Sequence, residues 1–261
     1  AALHRFRGLA VQPFKKGPDY IDPLWLGSAA GRPCHNLDFY IQSHEEIRTV
    51  FGRRMSGVDM GVIEGNKGLY DGLALDGSDS NAALAALLGA PVVLVVDTRG
   101  ITRGIAPLLL GYQQFTPRVR IAGVILNRVG PPRHQSKLRQ AVEHYTDIPV
   151  LGAVRDAKAL QITERHLGLM PSNEHEAAEA IITRIAETIA EQVDLEALIG
   201  VSNAAPGVQR EKDASPLARN NDGSDIRIGV ARDEAFGFYY AGDFESLEAS
   251  GAELVFFDTL A

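Results

Sequence analysis

The sequence predicts an α/β fold in which a mostly parallel sheet carries helices on both faces, and two observations lead there. Short, nearly continuous apolar runs recur at residues 58–64, 91–97, 118–127 and 149–154. This is the pattern of strands buried on both faces rather than of half-exposed antiparallel ones. Segments of helical length and mixed polarity separate them, at residues 43–55, 79–88, 101–114 and 131–145. Strand and helix in alternation define the α/β class.

The remaining elements follow from the same reasoning. Residues 1–8 read as the last turns of a helix, with His4, Arg5 and Arg7 near its end and Gly8 as the stop. The chain is therefore expected to enter in mid-fold. The run from Gly8 to Phe14 reads as a strand, stopped by the turn residues Gly17 and Pro18. Residues 174–199 form a long amphipathic stretch with Ala178, Ile181, Ile182, Ile185, Ile189 and Val193 at helical spacing, a stripe expected to be core. Residues 202–225 are rich in Asn, Asp, Ser, Pro and Gly and read as a linker. After it come a strand at 226–231, a short helix at 242–250 and a strand at 252–257. Too small to bury a core of its own, this segment is expected to open a second domain. The expected division is 1–201, 202–225 and 226–261.

At 261 residues, with 45% hydrophobic and 23% charged residues, the composition is that of an ordinary globular chain. The net charge of −7 argues against a nucleic-acid or anionic-membrane surface as the main partner, while leaving room for a local anion site. Cys34 is the only cysteine, which excludes an internal disulfide framework and a cysteine-rich metal site. A reducing cytoplasm fits that usage. No run has the length of a membrane span and no signal-type opening is present, so a cytoplasmic protein without membrane or nucleic-acid partners is expected. A homodimer is the assembly kept in view.

Chemistry concentrates at Lys15-Lys16-Gly17-Pro18-Asp19-Tyr20-Ile21-Asp22-Pro23. A cation lies at the end of a strand and two carboxylates project beyond it, where ligands bind in open α/β sheets. The same residues also read as an acidic loop with a solvated lysine. A second cluster, Glu64-Gly65-Asn66-Lys67-Gly68-Leu69-Tyr70-Asp71-Gly72, puts Glu64 at a strand end beside a glycine that permits close approach of a ligand. Mg²⁺ takes one or two carboxylates together with nucleotide phosphates, and Glu64 with Asp19 or Asp22 supplies that type of donor set. Asp71-Gly72 alone reads as a turn. Asn127-Arg128 ends another strand; an amide reads a purine edge and a guanidinium suits phosphate, although Asn127 also reads as the cap of the following turn. Residues 163–169 gather ionisable groups that suit a surface salt-bridge cluster.

These segments resemble one family, in order and spacing. Gln12-Pro13-Phe14-Lys15 with Gly17-Pro18-Asp19-Tyr20-Ile21-Asp22-Pro23, Gly31-Arg32-Pro33 with Asn36-Leu37-Asp38, Glu64-Gly65 with Gly68-Leu69-Tyr70-Asp71-Gly72, Leu126-Asn127-Arg128, and Glu164-Arg165-His166-Leu167-Gly168-Leu169 are similar to the cobyrinic acid a,c-diamide synthases. The resemblance implies a synthetase domain of the dethiobiotin-synthetase, P-loop type that uses ATP and Mg²⁺, followed by a class I glutaminase-like domain that releases ammonia from glutamine. Residues 226–261 are similar to the start of the latter. The implied reaction phosphorylates an acetate side chain of a tetrapyrrole, and ammonia then displaces phosphate. Such chemistry depends on positioning and charge neutralisation.

The resemblance gives Lys15 to phosphate, Asp22 and Glu64 to Mg²⁺, Asp19 and Asp71 to the intermediate or substrate, and Asn127 with Arg128 to the nucleotide. Cys34 is not the family's glutaminase nucleophile. Neither that nucleophile nor the family's glycine-rich phosphate loop lies in these residues, so on their own they are expected to support neither full ATP turnover nor glutaminase activity. The chain also resembles relatives proposed to amidate sirohaem, through Asn66-Lys67. A regulatory P-loop ATPase and a non-enzymatic tetrapyrrole binder are the readings of other classes; the regulatory ATPase predicts neither the GPDYIDP segment nor an α/β segment after a polar linker.

Overall fold

A computed structural model describes residues 1–162, 164–165, 168–174, 177–207 and 226–261. In chain order the first elements are α1 (Ala2–Arg7), β1 (Val11–Lys16), α2 (Ile21–Ala30), β2 (His35–Leu37), α3 (His44–Arg54) and β3 (Met60–Glu64). There follow α4 (Asn81–Leu88), β4 (Val92–Asp97), α5 (Ile105–Phe115), β5 (Ile121–Val129), α6 (Pro132–Tyr145) and β6 (Val150–Arg155). The last are the short strands β7 (Glu164–Arg165) and β8 (Gly168–Leu169), then α7 (Ala178–Gln192), α8 (Leu195–Asn203), β9 (Arg227–Ala231), α9 (Ala241–Ala249) and β10 (Glu253–Phe257).

The chain forms two compact units. One comprises residues 9–66, 162–182 and 208–261, of which 208–225 lie outside the described residues. Its three-stranded sheet has the order β2-β1-β3, with both pairings parallel. All six residues of β1 are buried, as a central strand requires. Pro13 is tolerated there because the β1–β2 ladder begins one residue later, at Phe14 and His35. Phe14 packs on Phe51 of α3 at 5.0 Å between ring centroids, and α3 begins with a capping box in which Ser43 and Glu46 satisfy each other's backbone amides. β9 and β10 pair in parallel across α9, so residues 226–257 form a β-α-β unit.

The other unit comprises residues 1–8, 67–161 and 183–207. Its sheet has the order β4-β5-β6, again parallel throughout. Leu94, Val124, Leu126, Ile105, Leu109, Leu138 and Val142 fill its core. Gly152 on β6 lets the chain at Val193 approach closely: a Cβ there would meet the Gln192 carbonyl oxygen at 3.0 Å. At the amino end α1 stops at Gly8, which adopts φ 66° and returns its amide to the helix.

Parallel strands joined through helices bear out the α/β reading. The four expected strands and four expected helices are present with ends shifted by a few residues. One departure concerns the stretch 174–199, which is two helices rather than one. Val193 bridges to Gly152, the Asp194 amide donates to the Leu151 carbonyl at 2.7 Å, and the Asp194 carboxylate caps α8 by accepting from Ala197. Sheet pairing and a new cap outcompete continuation of α7. None of the expected apolar stripe is exposed. Another departure is β5, which runs past Asn127 to Val129 through a register irregularity, with Arg128 at φ 54°.

Candidate functional site

The parallel pairing of β1 with β3 makes Lys15 and Glu64 register partners at the carboxyl ends of their strands. On the opposite side Lys15 pairs with Asn36 of β2. Between β1 and α2 the chain turns at Gly17, φ 82°, whose amide donates to the Leu37 carbonyl. A side chain on Gly17 would be strained at that φ, and its Cβ would lie 3.0 Å from Asn66 Nδ2. Asn36 Nδ2 holds the turn from below, donating to the Gly17 and Asp19 carbonyls at 2.8 and 2.9 Å.

Asp19 Oδ1 then accepts the amides of Ile21 and Asp22 at 2.9 and 3.2 Å, which starts α2. Asp22 sits in the first turn of that helix, where the helix dipole favours an anion. The consequence is convergence. Lys15 Nζ donates to Asp22 Oδ2 and stands 3.6 Å from Asp19 and 3.7 Å from Glu64. Its side chain is 5% exposed, against 44% for that of Glu64.

Three carboxylates around one ammonium carry an excess of negative charge, and the titration behaviour reflects it. Burial pushes the carboxyl of Asp19 above its ordinary range, and the charge of Asp22 adds to the push. Burial likewise raises Glu64, with Asp22 and Asp19 adding and Lys15 opposing. Burial works against the charge on Lys15, but the hydrogen bond to Asp22 and the three carboxylates outweigh it and hold Lys15 above its ordinary value. An anion-rich cluster around one cation has charge to spare for a further cation. Among the described residues no set of three or more His, Cys, Asp or Glu is arranged as a metal cage. Asp22 and Glu64 offer carboxylate oxygens of the kind a hard cation shares with ligand oxygens.

Residues 226–261 belong to the same unit. Tyr20, between the two aspartates, stacks on Tyr240 at 4.4 Å and on Phe238 at 5.7 Å. Glu245 of α9 pairs with Arg54 of α3 and lies 3.7 Å from His35 Nε2. Burial, with Arg54 adding, pushes His35 down to about 4. A buried imidazole held neutral costs nothing above pH 6.5, but the unfolded chain takes up a proton below that value and the fold does not. Stability is therefore lost as pH falls from 6.5 to about 4, by about 3 kcal/mol at the lower end. His35→Gln should remove that part of the acid sensitivity, which urea unfolding of both proteins between pH 4 and 7 would measure. Cys34 next to it is buried, and burial raises its thiol to about 12, which makes it an inert core residue.

The other predicted residues lie in the second unit. Asp71 Oδ2 accepts the Gly68 amide at 3.1 Å and so shapes its own loop. Asn127 Oδ1 accepts the Arg128 amide at 2.9 Å, while its carbonyl accepts both the amide and hydroxyl of Thr98. Asn127 thus holds the local turn through its side-chain and backbone oxygens. Arg128 reaches Asp97 Oδ2 at 3.5 Å, and Arg99 clasps the same carboxylate, holding it down at about 2. Arg128 at positive φ is uncommon for a residue with a side chain, and it falls within the register irregularity between Leu126 and Val129. Of the cluster at 163–169, Thr163, His166 and Leu167 lie outside the described residues. Asn36 carries no expected role of its own, although Asn36-Leu37-Asp38 is part of the shared pattern.

Parallel strands and intervening helices place the protein in the α/β class, with a lysine-centred carboxylate cluster at the strand ends of one unit. A family model described as "AAA domain" matches residues 46–162. The chain is 44% identical over 257 residues to a cobyrinate a,c-diamide synthase of Magnetococcus marinus, covering 97% of this chain and 55% of that protein. Cobyrinate a,c-diamide synthases of Methanothermobacter thermautotrophicus and Listeria innocua are 40% and 39% identical, each over 97% of this chain and 57% and 56% of their own lengths. The chain belongs to the cobyrinate a,c-diamide synthase family. It spans about half the length of these relatives. Among the described residues no helix is long and apolar enough to cross a membrane.

Proposed function

We propose that the full-length protein is a ligase that converts the a and c acetate side chains of cobyrinate to amides, using ATP and glutamine-derived ammonia. The observation that carries this reading is the convergence of Asp19, Asp22 and Glu64 on the buried Lys15. A carboxylate is a poor electrophile with a poor leaving group. Transfer of the γ-phosphoryl group to its oxygen gives an acyl phosphate and ADP; ammonia attacks the carbonyl carbon, the bond to phosphate breaks, and the amide loses one proton.

In this reading Lys15 holds a phosphate oxygen, releasing its contact with Asp22 as the anion arrives. Asp22 and Glu64 hold Mg²⁺, which neutralises phosphate charge when bound. Asp19, fixed by two helix amides, and Asp71 orient the substrate or its phosphorylated intermediate. Asn127 reads the adenine edge through its amide nitrogen, and Arg128 meets a phosphate or ribose oxygen. The family relationship supports the division into a synthetase domain at 1–201, a linker at 202–225 and the start of a glutaminase-like domain at 226–261, whose β-α-β order suits an α/β domain.

Mass spectrometry of cobyrinate and of sirohaem after incubation with the full-length protein, ATP, Mg²⁺ and glutamine tests the proposal. The expected result is conversion of cobyrinate to its diamide. Conversion of sirohaem alone moves the substrate assignment, and no amide from either removes the amidation reading.

A further inference from the structure

The turn that carries Asp19 and Asp22 is held from two sides. From the sheet, Asn36 Nδ2 grips the Gly17 and Asp19 carbonyls, and Asp19 Oδ1 accepts the first two amides of α2. Tyr20, between the two aspartates in sequence, is the residue on which α2 begins, and its side chain makes no capping hydrogen bond. Rings of the carboxyl-terminal segment hold it. Tyr240 lies 4.4 Å from the Tyr20 ring at 24° between planes, and Phe238 lies 5.7 Å away at 8°. Aromatic pairs attract at these separations, so the stack fixes where the Tyr20 ring sits.

The two rings that meet Tyr20 stand on a braced loop. Asp233 Oδ1 accepts the amides of Ala235 and Phe236 at 2.7 and 2.9 Å, and Oδ2 accepts the amide and hydroxyl of Thr259, each at 2.7 Å. The Asp233 carbonyl accepts Asn173 Nδ2 at 2.9 Å, and the Tyr239 hydroxyl donates to the Ala231 carbonyl at 2.7 Å. Gly237 lies so close to Asn173 that a Cβ would meet Nδ2 at 2.6 Å. Beyond Tyr240, Glu245 of α9 pairs with Arg54 of α3. Asn173 before the stack and Arg54 after it thus fasten the loop to its own unit.

We propose that Tyr240 and Phe238 are positioning residues for the Lys15 site: by stacking on Tyr20 they fix the turn from Asp19 to Asp22, and with it the placement of both carboxylates about Lys15. This rests on the amidation reading above. Neither ring has to touch substrate. Phosphoryl transfer depends on placement more than on covalent chemistry, and a misplacement on the order of 1 Å can cost about a hundredfold in rate.

The test uses the full-length protein with ATP, tetrapyrrole and ammonium chloride, and reads kcat beside hydrogen exchange in the peptide spanning residues 17–24. Tyr240→Ala should lower kcat by at least about tenfold while the KM for ATP stays within about twofold of wild type. Exchange of the Ile21 and Asp22 amides should quicken in the same variant, because their acceptor Asp19 is no longer held in place. Tyr240→Phe keeps the ring and should restore both readouts. Phe238→Ala, at a ring that is 51% exposed, should act in the same direction and more weakly, and it carries the test if melting curves show that Tyr240→Ala does not fold. Unchanged kcat or unchanged exchange in a folded alanine variant, or a Tyr240→Phe protein as slow as Tyr240→Ala, overturns the positioning role. A wild-type protein that makes no amide fails the amidation reading, and the exchange comparison then decides the positioning role by itself.

Discussion

Lys15→Met is expected to cost about 3–5 kcal/mol of folding stability at pH 7 and to abolish amide formation by the full-length protein. Removing one partner from a buried ionic cluster leaves the others uncompensated, which is the expensive way to break it. Here one substitution strands three carboxylates, two of which already sit above their ordinary range with the lysine present. Methionine keeps much of the aliphatic volume, so the loss reports charge and not packing. The sign with pH follows from the carboxylates. As pH falls toward 4.5 and below, Asp19 and Glu64 take up protons, their repulsion fades, and the deficit of the variant against wild type should shrink. Urea unfolding at pH 7 and pH 4.5 would measure both. A loss of roughly 1 kcal/mol or less at pH 7, the value of an exposed surface pair, would mean that the cluster is solvated and not a site.

Glu64→Gln is expected to act in opposite directions on activity and stability. A carboxylate whose folded-state pKa is raised binds its proton more readily in the fold than in the unfolded chain, so its charge costs stability above the ordinary range. Glutamine removes that charge and keeps the shape. The ligand-free variant should melt higher than wild type at pH 7, with the advantage vanishing below pH 4.5, where Glu64 is protonated in both states. Turnover should fall by two to three orders of magnitude, the usual effect of removing a group that neutralises transition-state charge or its metal. Stability given up for a charged site is a familiar pattern at functional positions. A variant that is both less stable and fully active would show Glu64 to be a structural partner of Lys15 and nothing more.

The strands and helices after residue 43 were legible because their signals are local. Continuous apolar runs, a Ser-x-x-Glu capping box and the glycine stop at Gly8 each act within a few residues. The breaks in that legibility have identifiable causes. β2 is only three residues long and α2 contains Pro23 and Gly27, so neither stands out in propensity; parallel pairing to β1 and the Asp19 carboxylate, which accepts the first two helix amides, create them. The division of residues 174–199 depends on Val193 meeting Gly152, a contact between positions far apart in sequence.

The candidate site divides in the same way. Lys15 and Glu64 were both read as strand-end groups, but their register partnership is a property of sheet order, which the sequence pattern does not specify. Asp22 was expected beyond the strand and is found in the first turn of a helix, close enough for Lys15 to donate to it. The stacking of Tyr20 on Tyr240 joins positions far apart in sequence and follows from no local rule.

The most direct test of the central claim follows the carboxylate oxygens of the substrate. Cobyrinate labelled with heavy oxygen in its acetate carboxylates is incubated with the full-length protein, ATP, Mg²⁺ and glutamine, and the released inorganic phosphate is analysed by mass spectrometry. Passage through an acyl phosphate at the Lys15 site predicts one heavy oxygen in each phosphate and one retained in each amide. Amide formed with unlabelled phosphate would contradict it.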